Sequence, residues 1–355
     1  MTLTVVVPAH NEAATIGVCL ASLAGQTVPP TAVVVVADNC TDATAEVARA
    51  AGARVVVTVD NADKKAGALN QALAGLLPTL QPTDVVMVMD ADSWVDPVFL
   101  AVALQALARP GVGAVGGVFY GESGNGLIGA LQRSEYARYA REIARRGGRA
   151  TVLTGTATVA TAAVLGQVAG ARGLTLPGRA GYVYDTNALT EDNELTLAVK
   201  TLGWRAVSPR ECRVTTEVMP TWSALWHQRL RWQRGAVENL RTYGCTRTTM
   251  PYIAKQATMH LGIAAVALFM AATALFGVLG LLSAPVGWWW ALPALFVTER
   301  VVTVRGQGWR AMVLAAPIVV EFAYDVFQQA IYVVAAWHII TGRDATWHHA
   351  NAAQP

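Results

Sequence analysis

The chain has 355 residues, of which 54% are hydrophobic and only 14% are charged, against about 25% in an average soluble domain. Its formal net charge of +3 is too small to attract a polyanion, so nucleic acid is not an expected partner. The composition also excludes a disordered chain. It leaves either an unusually apolar domain or an ordinary domain joined to a membrane segment.

The first 90 residues alternate between continuous apolar runs and segments with helical spacing. The apolar runs cover residues 4–7, 32–37, 54–59 and 84–89. The helical segments cover residues 12–23, 43–51 and 66–77. Continuous β-branched runs are typical of parallel strands that are covered on both faces. The alternation therefore predicts an α/β fold with a doubly wound, mostly parallel sheet.

Polar side chains follow each of the predicted strands. They include Glu12, Asp38, Asp60, Asp90, Asp92, Lys64 and Lys65. Because the carboxyl ends of parallel strands meet at one edge of the sheet, we expect these groups to lie close together. Crowded carboxylates repel one another unless they share a cation, which predicts a hard divalent ion held with substrate phosphates. Neither a P-loop nor a G-x-G-x-x-G motif follows the first strand, which excludes the usual nucleotide sites built on those motifs.

Three apolar segments follow residue 252. They cover residues 256–283, 286–304 and 311–340. The first has no formally charged residue and exceeds the roughly 20 residues needed to cross a ~30 Å hydrocarbon core. The second opens with Trp288, Trp289 and Trp290, whose indoles suit a bilayer interface. We therefore predict a transmembrane region of about three apolar helices and a short tail over residues 253–355.

Charged residues in this region indicate its orientation. Glu321 and Asp325 are costly in lipid, so we expect them to face protein, water or a substrate path. Arginines cluster between the second and third segments at residues 300, 305 and 310, which places that loop on the cytoplasmic side. The four cysteines lack C-x-x-C spacing and are typical of free thiols in a reducing compartment. We expect no N-terminal anchor and a cytoplasmic domain over residues 1–220 of an integral inner- or plasma-membrane protein.

Residues 221–252 predict an amphipathic helix between these two parts. Its apolar positions are Trp222, Leu225, Trp226, Leu230 and Val237, and they lie beside several arginines. Such a helix suits an anionic membrane surface. We expect its other face, with Gln228, Arg231 and Trp232, to look into the site. Another basic helix, at residues 135–146, is interpreted as a solvated face.

Six motifs in chain order resemble the family 2 glycosyltransferases of the GT-A fold, specifically the membrane-integrated branch with cellulose, hyaluronan and chitin-oligosaccharide synthases. The motifs are VVVPAHNE (5–12), VVADNCTDAT (35–44), KAGALN (65–70), MDAD (89–92), TED (190–192) and QRLRW (228–232). TED alone is unspecific, whereas QRLRW is much more specific, and six motifs in order make chance a poor explanation. The resemblance implies displacement of a nucleoside diphosphate from a sugar, with inversion at the anomeric carbon.

The resemblance also implies roles for individual residues. The nucleotide-sugar contacts would be Pro8, Ala9, Asn11, Glu12, Asp38, Lys65, Asp90 and Arg231. The acceptor contacts would be Gln228 and Trp232. Mg²⁺ or Mn²⁺ would lie at Asp92, with Asp90 acting through the ribose or a metal-bound water. Asp192 would be the catalytic base, and Glu191 is its close rival on sequence alone.

The expected reaction transfers glucose or N-acetylglucosamine from a UDP-sugar to a membrane lipid or glycolipid, with a β linkage. A processive polysaccharide synthase is the alternative, and copies of the chain could associate as a homo-oligomer to build a conduit. The small number of spans favours the glycolipid product. Residues 154–165 follow the family's acceptor-side pattern only loosely, which leaves the acceptor open. A different class of function is a non-catalytic nucleotide-sugar binding partner of another synthase.

Overall fold

The computed structural model describes residues 1–280 and 291–343. Seven strands form the main sheet: β1 Leu3–Ala9, β2 Ala32–Ala37, β3 Arg54–Val57, β4 Val85–Met89, β6 Val112–Gly116, β8 Ala157–Thr161 and β9 Arg205–Val207. Three more form a small second sheet: β5 Ser93–Val95, β7 Val118–Gly121 and β10 Arg213–Thr216. The predicted interface tryptophans Trp288, Trp289 and Trp290 lie outside the described residues.

The helices that precede residue 250 are α1 Ile16–Ala24, α2 Thr44–Ala50, α3 Lys64–Leu76, α4 Phe99–Leu107, α5 Gly126–Arg145, α6 Ala162–Ala171, α7 Glu191–Thr201 and α8 Trp222–Tyr243. The later helices are α9 Met250–Val278, α10 Ala291–Val304, α11 Trp309–Ala315 and α12 Ile318–Ile340. All four predicted strands and all three predicted helices of the first 90 residues are present, with ends that shift by a few residues.

The main sheet has the strand order β3-β2-β1-β4-β8-β6-β9. It is mixed but mostly parallel, because β8 alone runs against its neighbours β4 and β6. Both faces are covered, as the continuous Val run in β1 predicts: Val5 and Val7 pack in one apolar cluster and Val6 in the other. This arrangement brings the ends of β1, β2 and β4 to one edge of the sheet.

The C-terminal region differs in part from the sequence prediction. Two helices, Met250–Val278 and Val319–Ile340, are long and apolar enough to cross a membrane. The described part of the second segment, α10, has 14 residues, which is shorter than a span requires. The prediction of a single third helix is wrong: the chain breaks at Pro317, whose backbone is extended (φ −70°, ψ 110°), and forms α11 and α12 instead.

Two predicted surfaces are also covered by protein. The basic helix is not a solvated face, because Arg138 on α5 pairs with the fully buried Glu321 on α12 at 3.0 Å. The apolar stripe of α8 does not rest on a bilayer alone, because Leu225 is buried in a cluster with Tyr324. The ring of Phe327 on α12 also lies 5.6 Å from that of Trp226 on the same stripe.

Candidate functional site

A cavity of about 740 Å³ opens where β1, β2 and β4 end. Twelve of the thirteen predicted site residues line it: Pro8, Ala9, Glu12, Asp38, Lys65, Asp90, Asp92, Glu191, Asp192, Gln228, Arg231 and Trp232. The residues that precede position 100 come from the strand ends, the loops after them and the start of α3. The others come from the start of α7 and from one face of α8, so three distant parts of the chain meet here.

Asn11 is the predicted residue that the structure places elsewhere. Its side-chain oxygen accepts the backbone N–H of Thr41 at 2.8 Å and the Thr41 hydroxyl at 3.2 Å. Its backbone is left-handed (φ 57°), a conformation that asparagine tolerates better than most residues. Asn11 therefore joins the loop after β1 to the loop after β2, rather than lining the cavity.

Asp38 is a buried carboxylate that its neighbours hold in place. Its Oδ1 accepts the Thr58 hydroxyl at 2.8 Å, the Asn61 amide at 2.8 Å and the Asn39 amide at 3.2 Å. Burial of a carboxylate is costly unless hydrogen bonds compensate for the lost water. These three donors provide that compensation and fix the orientation of the Asp38 side chain at the cavity wall.

Lys65 connects two of the sequence motifs. Its ammonium lies 2.5 Å from Oδ1 of Asp90 and 2.9 Å from Oε1 of Glu191. Burial disfavours the charged lysine, but the charges of the two carboxylates outweigh burial and hold the pKa of Lys65 well above its usual value. Lys65 therefore stays charged and ties the end of β4 to the start of α7.

The two acidic residues of the TED motif have different environments. Burial and the negative charge of Glu191 raise the pKa of Asp192 to about 6. Glu191 is also buried, but the charges of Lys65 and Arg231 prevail and lower its pKa. Asp192 is fixed by the N–H of Gly155 at 3.0 Å. A base works best with a pKa near the working pH, and of these two carboxylates Asp192 comes closer to that condition.

Two further carboxylates that line the cavity also have raised pKa values. Burial, followed by the charge of Glu12, raises the pKa of Asp92. Burial and the charges of Asp92 and Glu12 raise the pKa of Glu217 to about 7. Glu217 is not among the residues predicted from the sequence, because it follows β10 outside any motif and only the fold brings it to the cavity.

The carboxylates of Asp90 and Asp92 fit a hard divalent ion that takes its remaining ligands from water and a substrate. Within residues 1–280 and 291–343, no group of three His, Cys, Asp or Glu side chains is arranged to hold a metal ion. Mg²⁺ characteristically binds through one or two carboxylates and completes its shell with water and substrate phosphates. Asp90 and Asp92, which both line the cavity, supply that number of oxygen donors.

Helix α8 holds the TED segment in place. Asn239, which is buried on α8, donates to the carbonyl oxygen of Thr190 at 3.2 Å and to the side-chain oxygen of Asn193 at 3.0 Å. Gly235 lies against the same threonine, and a Cβ at this glycine would be only 2.5 Å from Thr190 Oγ1. The helix that carries QRLRW therefore also sets the position of the helix that carries Asp192.

One wall of the cavity is aromatic. Phe119, Tyr136, Tyr139 and Trp232 all line it. The Phe119 ring packs 4.6 Å from that of Tyr136 and 5.2 Å from that of Tyr139. Only Trp232 is predicted from the sequence, because the other three rings look like ordinary core positions. Aromatic faces beside polar groups suit the C–H faces of a sugar or an apolar acceptor.

The fold and the site together define an α/β protein with a carboxylate-rich ligand cavity at its strand ends. The sequence profile of the family described as "Glycosyltransferase like family 2" matches residues 2–235. The match covers well over half of the chain, so the protein belongs to this family. It ends at Gly235 in α8, after all six motifs.

Individual relatives agree with this assignment. The probable glycosyltransferase YdaM of Bacillus subtilis (strain 168) is 28% identical over 256 residues, which cover 65% of this chain and 54% of YdaM. The 4,4'-diaponeurosporenoate glycosyltransferase of Staphylococcus aureus (strain bovine RF122 / ET3-1) is 51% identical over 63 residues, 18% of this chain and 16% of that protein. The chain thus spans about half the length of YdaM and a smaller share of the second relative.

A solved structure shows the same fold over nearly the whole chain. The mannosyltransferase PcManGT from Pyrobaculum calidifontis, in complex with GDP-Man and Mn²⁺, has a TM-score of 0.60 at 22% sequence identity. The likeness covers 96% of this chain and 88% of that chain. The expected GT-A type of α/β architecture is therefore supported by structure as well as by motif.

Proposed function

We propose that this protein is a membrane-bound, inverting glycosyltransferase that moves a sugar from a nucleotide sugar to a lipid or glycolipid. The observation that carries the proposal is the cavity itself. One cavity contains Asp192, whose pKa suits a base, the strand-end carboxylates Asp90 and Asp92, and the side chains of Arg231 and Trp232. These are the groups needed to activate an acceptor hydroxyl, neutralise a diphosphate and bind a sugar ring.

Asp192, Arg231 and Lys65 have separate roles in the proposed reaction. Asp192 accepts the proton of the acceptor hydroxyl while the acceptor oxygen forms a bond to the anomeric carbon from the face opposite the diphosphate. The bond from that carbon to the diphosphate oxygen breaks, and the nucleoside diphosphate leaves. Arg231 presents a fork of donors that matches phosphate oxygens. Lys65 keeps Glu191 ionised and engaged, so Asp192 is the group available to take the proton.

A divalent ion would complete the donor side. Asp92 and Asp90 would hold Mg²⁺ or Mn²⁺, and the ion, when bound, supplies positive charge to the leaving diphosphate. Mn²⁺ is also named with the solved mannosyltransferase of the same fold. The expected donor is a UDP-sugar, with Asp38 accepting a hydrogen bond from an N–H of the uracil ring. GDP-Man, named with that mannosyltransferase, belongs in the same donor panel because guanine also presents N–H groups.

The apolar helices support a membrane-bound acceptor. No residue of α9 is buried, although this helix has 29 residues and is apolar enough to span a bilayer. Water would be a costly neighbour for such a surface. A relative named for 4,4'-diaponeurosporenoate adds support, although it matches only 18% of this chain. With two span-length helices in the described part, a glycolipid product is favoured over an extruded polymer.

The test uses the full chain in nanodiscs with a panel of UDP- and GDP-sugars, Mn²⁺ or Mg²⁺, and native membrane lipids. We expect release of the nucleoside diphosphate, loss of activity in EDTA, and lipids that gain one or two sugars by mass spectrometry. A ladder of products would instead support a processive synthase. No diphosphate release with any donor would overturn the proposal.

A variant and a matched control test whether Asp192 is the catalytic base. Asp192→Asn keeps the shape of the side chain and should lower kcat by about 10²–10⁴-fold while nucleotide binding persists. Asp60→Asn is the matched control, because Asp60 is exposed, lies outside the cavity and has a left-handed backbone that asparagine tolerates. Unchanged turnover of the purified Asp192→Asn variant would contradict its role as the base. Unchanged product formation in cells that carry the variant, with no turnover by the purified wild type, would favour a non-catalytic binding protein.

A further inference from the structure

A single carboxylate joins three helices beside the aromatic wall of the cavity. Oε2 of Glu135, on α5, accepts the Tyr324 hydroxyl at 2.6 Å and the Gln328 amide at 3.0 Å, both from α12. The same carboxylate binds the guanidinium of Arg229, on α8, through both oxygens at 3.1 Å. Glu135 itself lines the cavity.

The network continues from Arg229 to the predicted acceptor residues. The guanidinium of Arg229 lies 4.2 Å from the ring centroid of Trp232 and also donates to Oε1 of Gln228. Arg229 is only 5% exposed, so its position depends on its protein partners rather than on solvent. A shift of the Glu135 carboxylate would therefore move Arg229 and, with it, the stacking surface of Trp232.

Helix α12 is held against the catalytic domain along one face only. Glu321 is fully buried and pairs with Arg138, and Tyr324 is buried in the cluster that contains Leu225 and Ile128. The opposite face exposes apolar residues along the helix: Val319, Val326, Val333, Trp337 and Ile340. Helix α12 thus exposes apolar side chains on one face and, from the other face, donates hydrogen bonds to Glu135 beside the aromatic wall of the cavity.

We propose that α12 is a working part of the acceptor site, in which Tyr324 and Gln328 position Trp232 through Glu135 and Arg229. Acceptor recognition then depends on α12, whereas donor binding at the strand ends does not. The inference rests on the proposed glycosyltransferase function. It adds Tyr324, Gln328 and Glu135 as positioning residues, and these three lie outside every sequence motif. The aromatic wall then has its binding geometry only when α12 is in place in the membrane.

The test removes the two donors from α12 in the full chain. Tyr324→Phe combined with Gln328→Leu should raise the KM for the lipid acceptor on the order of tenfold, since hydrogen bonds to an ionised group are lost. The KM for the nucleotide sugar and the slow hydrolysis of donor without acceptor should stay unchanged. Gln329→Leu is the matched control, because it makes the same change one residue away, outside the network.

A second measurement does not require turnover. The fluorescence of Trp232 is isolated by subtracting the emission of Trp232→Phe in each background, and its quenching by acrylamide is followed. We expect the Trp232 signal to become more accessible in the Tyr324/Gln328 double variant and not in Gln329→Leu. An unchanged acceptor KM overturns the inference, as does an equal loss of donor affinity.

The two proposals fail in distinguishable ways. A wild-type protein that transfers sugar, with a double variant that behaves identically, overturns the role of α12 and leaves the transferase function intact. A wild-type protein with no activity on any donor overturns the transferase function. The Trp232 quenching then still decides whether α12 positions the cavity wall: unchanged quenching overturns that role too.

Discussion

Replacing Gly235 by alanine tests whether α8 sets the position of the catalytic base. The added Cβ would lie 2.5 Å from Thr190 Oγ1 and 2.7 Å from its Cγ2, whereas ordinary contacts begin at 3.4 Å. Thr190 or α8 must therefore move by roughly 0.9 Å, the difference between 3.4 and 2.5 Å. Thr190 precedes Asp192 by two residues, so the base moves with it. A displacement of about 1 Å can cost roughly 10²-fold in rate.

The protein should remain folded, because two opposing effects on stability partly cancel. Overpacking costs about 1–3 kcal/mol, and replacing a helical glycine by alanine returns up to about 1 kcal/mol. The free energy of unfolding should therefore fall by roughly 0–3 kcal/mol. Gly166→Ala is the control, because this glycine is also helical. Apart from its own chain neighbours and helix backbone, no atom lies within 4 Å of the position that an added Cβ would take, so that variant should be neutral or slightly stabilised.

The assay compares kcat, nucleotide affinity and urea unfolding for both variants. We expect Gly235→Ala to lose about 10²-fold in kcat with nearly normal nucleotide affinity. Adding Thr190→Ala removes the two closest atoms and should restore part of the loss, which a double-mutant cycle would measure. Full activity in Gly235→Ala would refute the claim that this contact positions Asp192.

Two further predictions follow from the titrating and buried groups. The rate of sugar transfer should decline as the pH falls through about 6. The base must be ionised, and burial together with the charge of Glu191 raises the pKa of Asp192 to about 6. A decline of kcat/KM that begins only near pH 4 would contradict this prediction. Arg172→Met should lower the free energy of unfolding by about 3–5 kcal/mol in urea titrations, because it leaves the buried Glu194 without its ion-pair partner. Arg210→Met removes one partner of an exposed ion pair and should lower the free energy of unfolding by less than about 1 kcal/mol. Equal losses of unfolding free energy in the two variants would contradict a larger contribution from the buried Arg172–Glu194 pair.

Local patterns were sufficient for the first part of the fold. The Val runs of β1, β2 and β4 are continuous because both sheet faces are covered, so the residue type itself reports the environment of each strand. Parallel strands then place their carboxyl ends together, and the polar residues that follow each strand had to meet. The seven cavity residues that precede position 100 lie together for this reason, whereas the other five come from α7 and α8.

Local patterns failed where a surface depends on what packs against it. The arginines of α5 have the composition of a solvated face, yet Arg138 reaches a buried glutamate 183 residues further along the chain. The stripe of α8 has the spacing of a membrane-surface helix, but α12 covers Leu225. An apolar stripe indicates that one face of a helix is covered, and it contains no information about which partner covers it.

The sequence by itself determined the family, the doubly wound sheet and the set of groups at the strand ends, because motif order and strand periodicity are local properties. Only the tertiary structure shows that the environments of Glu191 and Asp192 differ: burial and Glu191 raise the pKa of Asp192, whereas Lys65, a residue more than 120 positions earlier, and Arg231 lower the pKa of Glu191. It also shows that Glu217 and Glu135 line the cavity and that Tyr324 and Gln328 of α12 donate hydrogen bonds to Glu135. Electrostatics and packing depend on distance in space, which the order of residues does not specify.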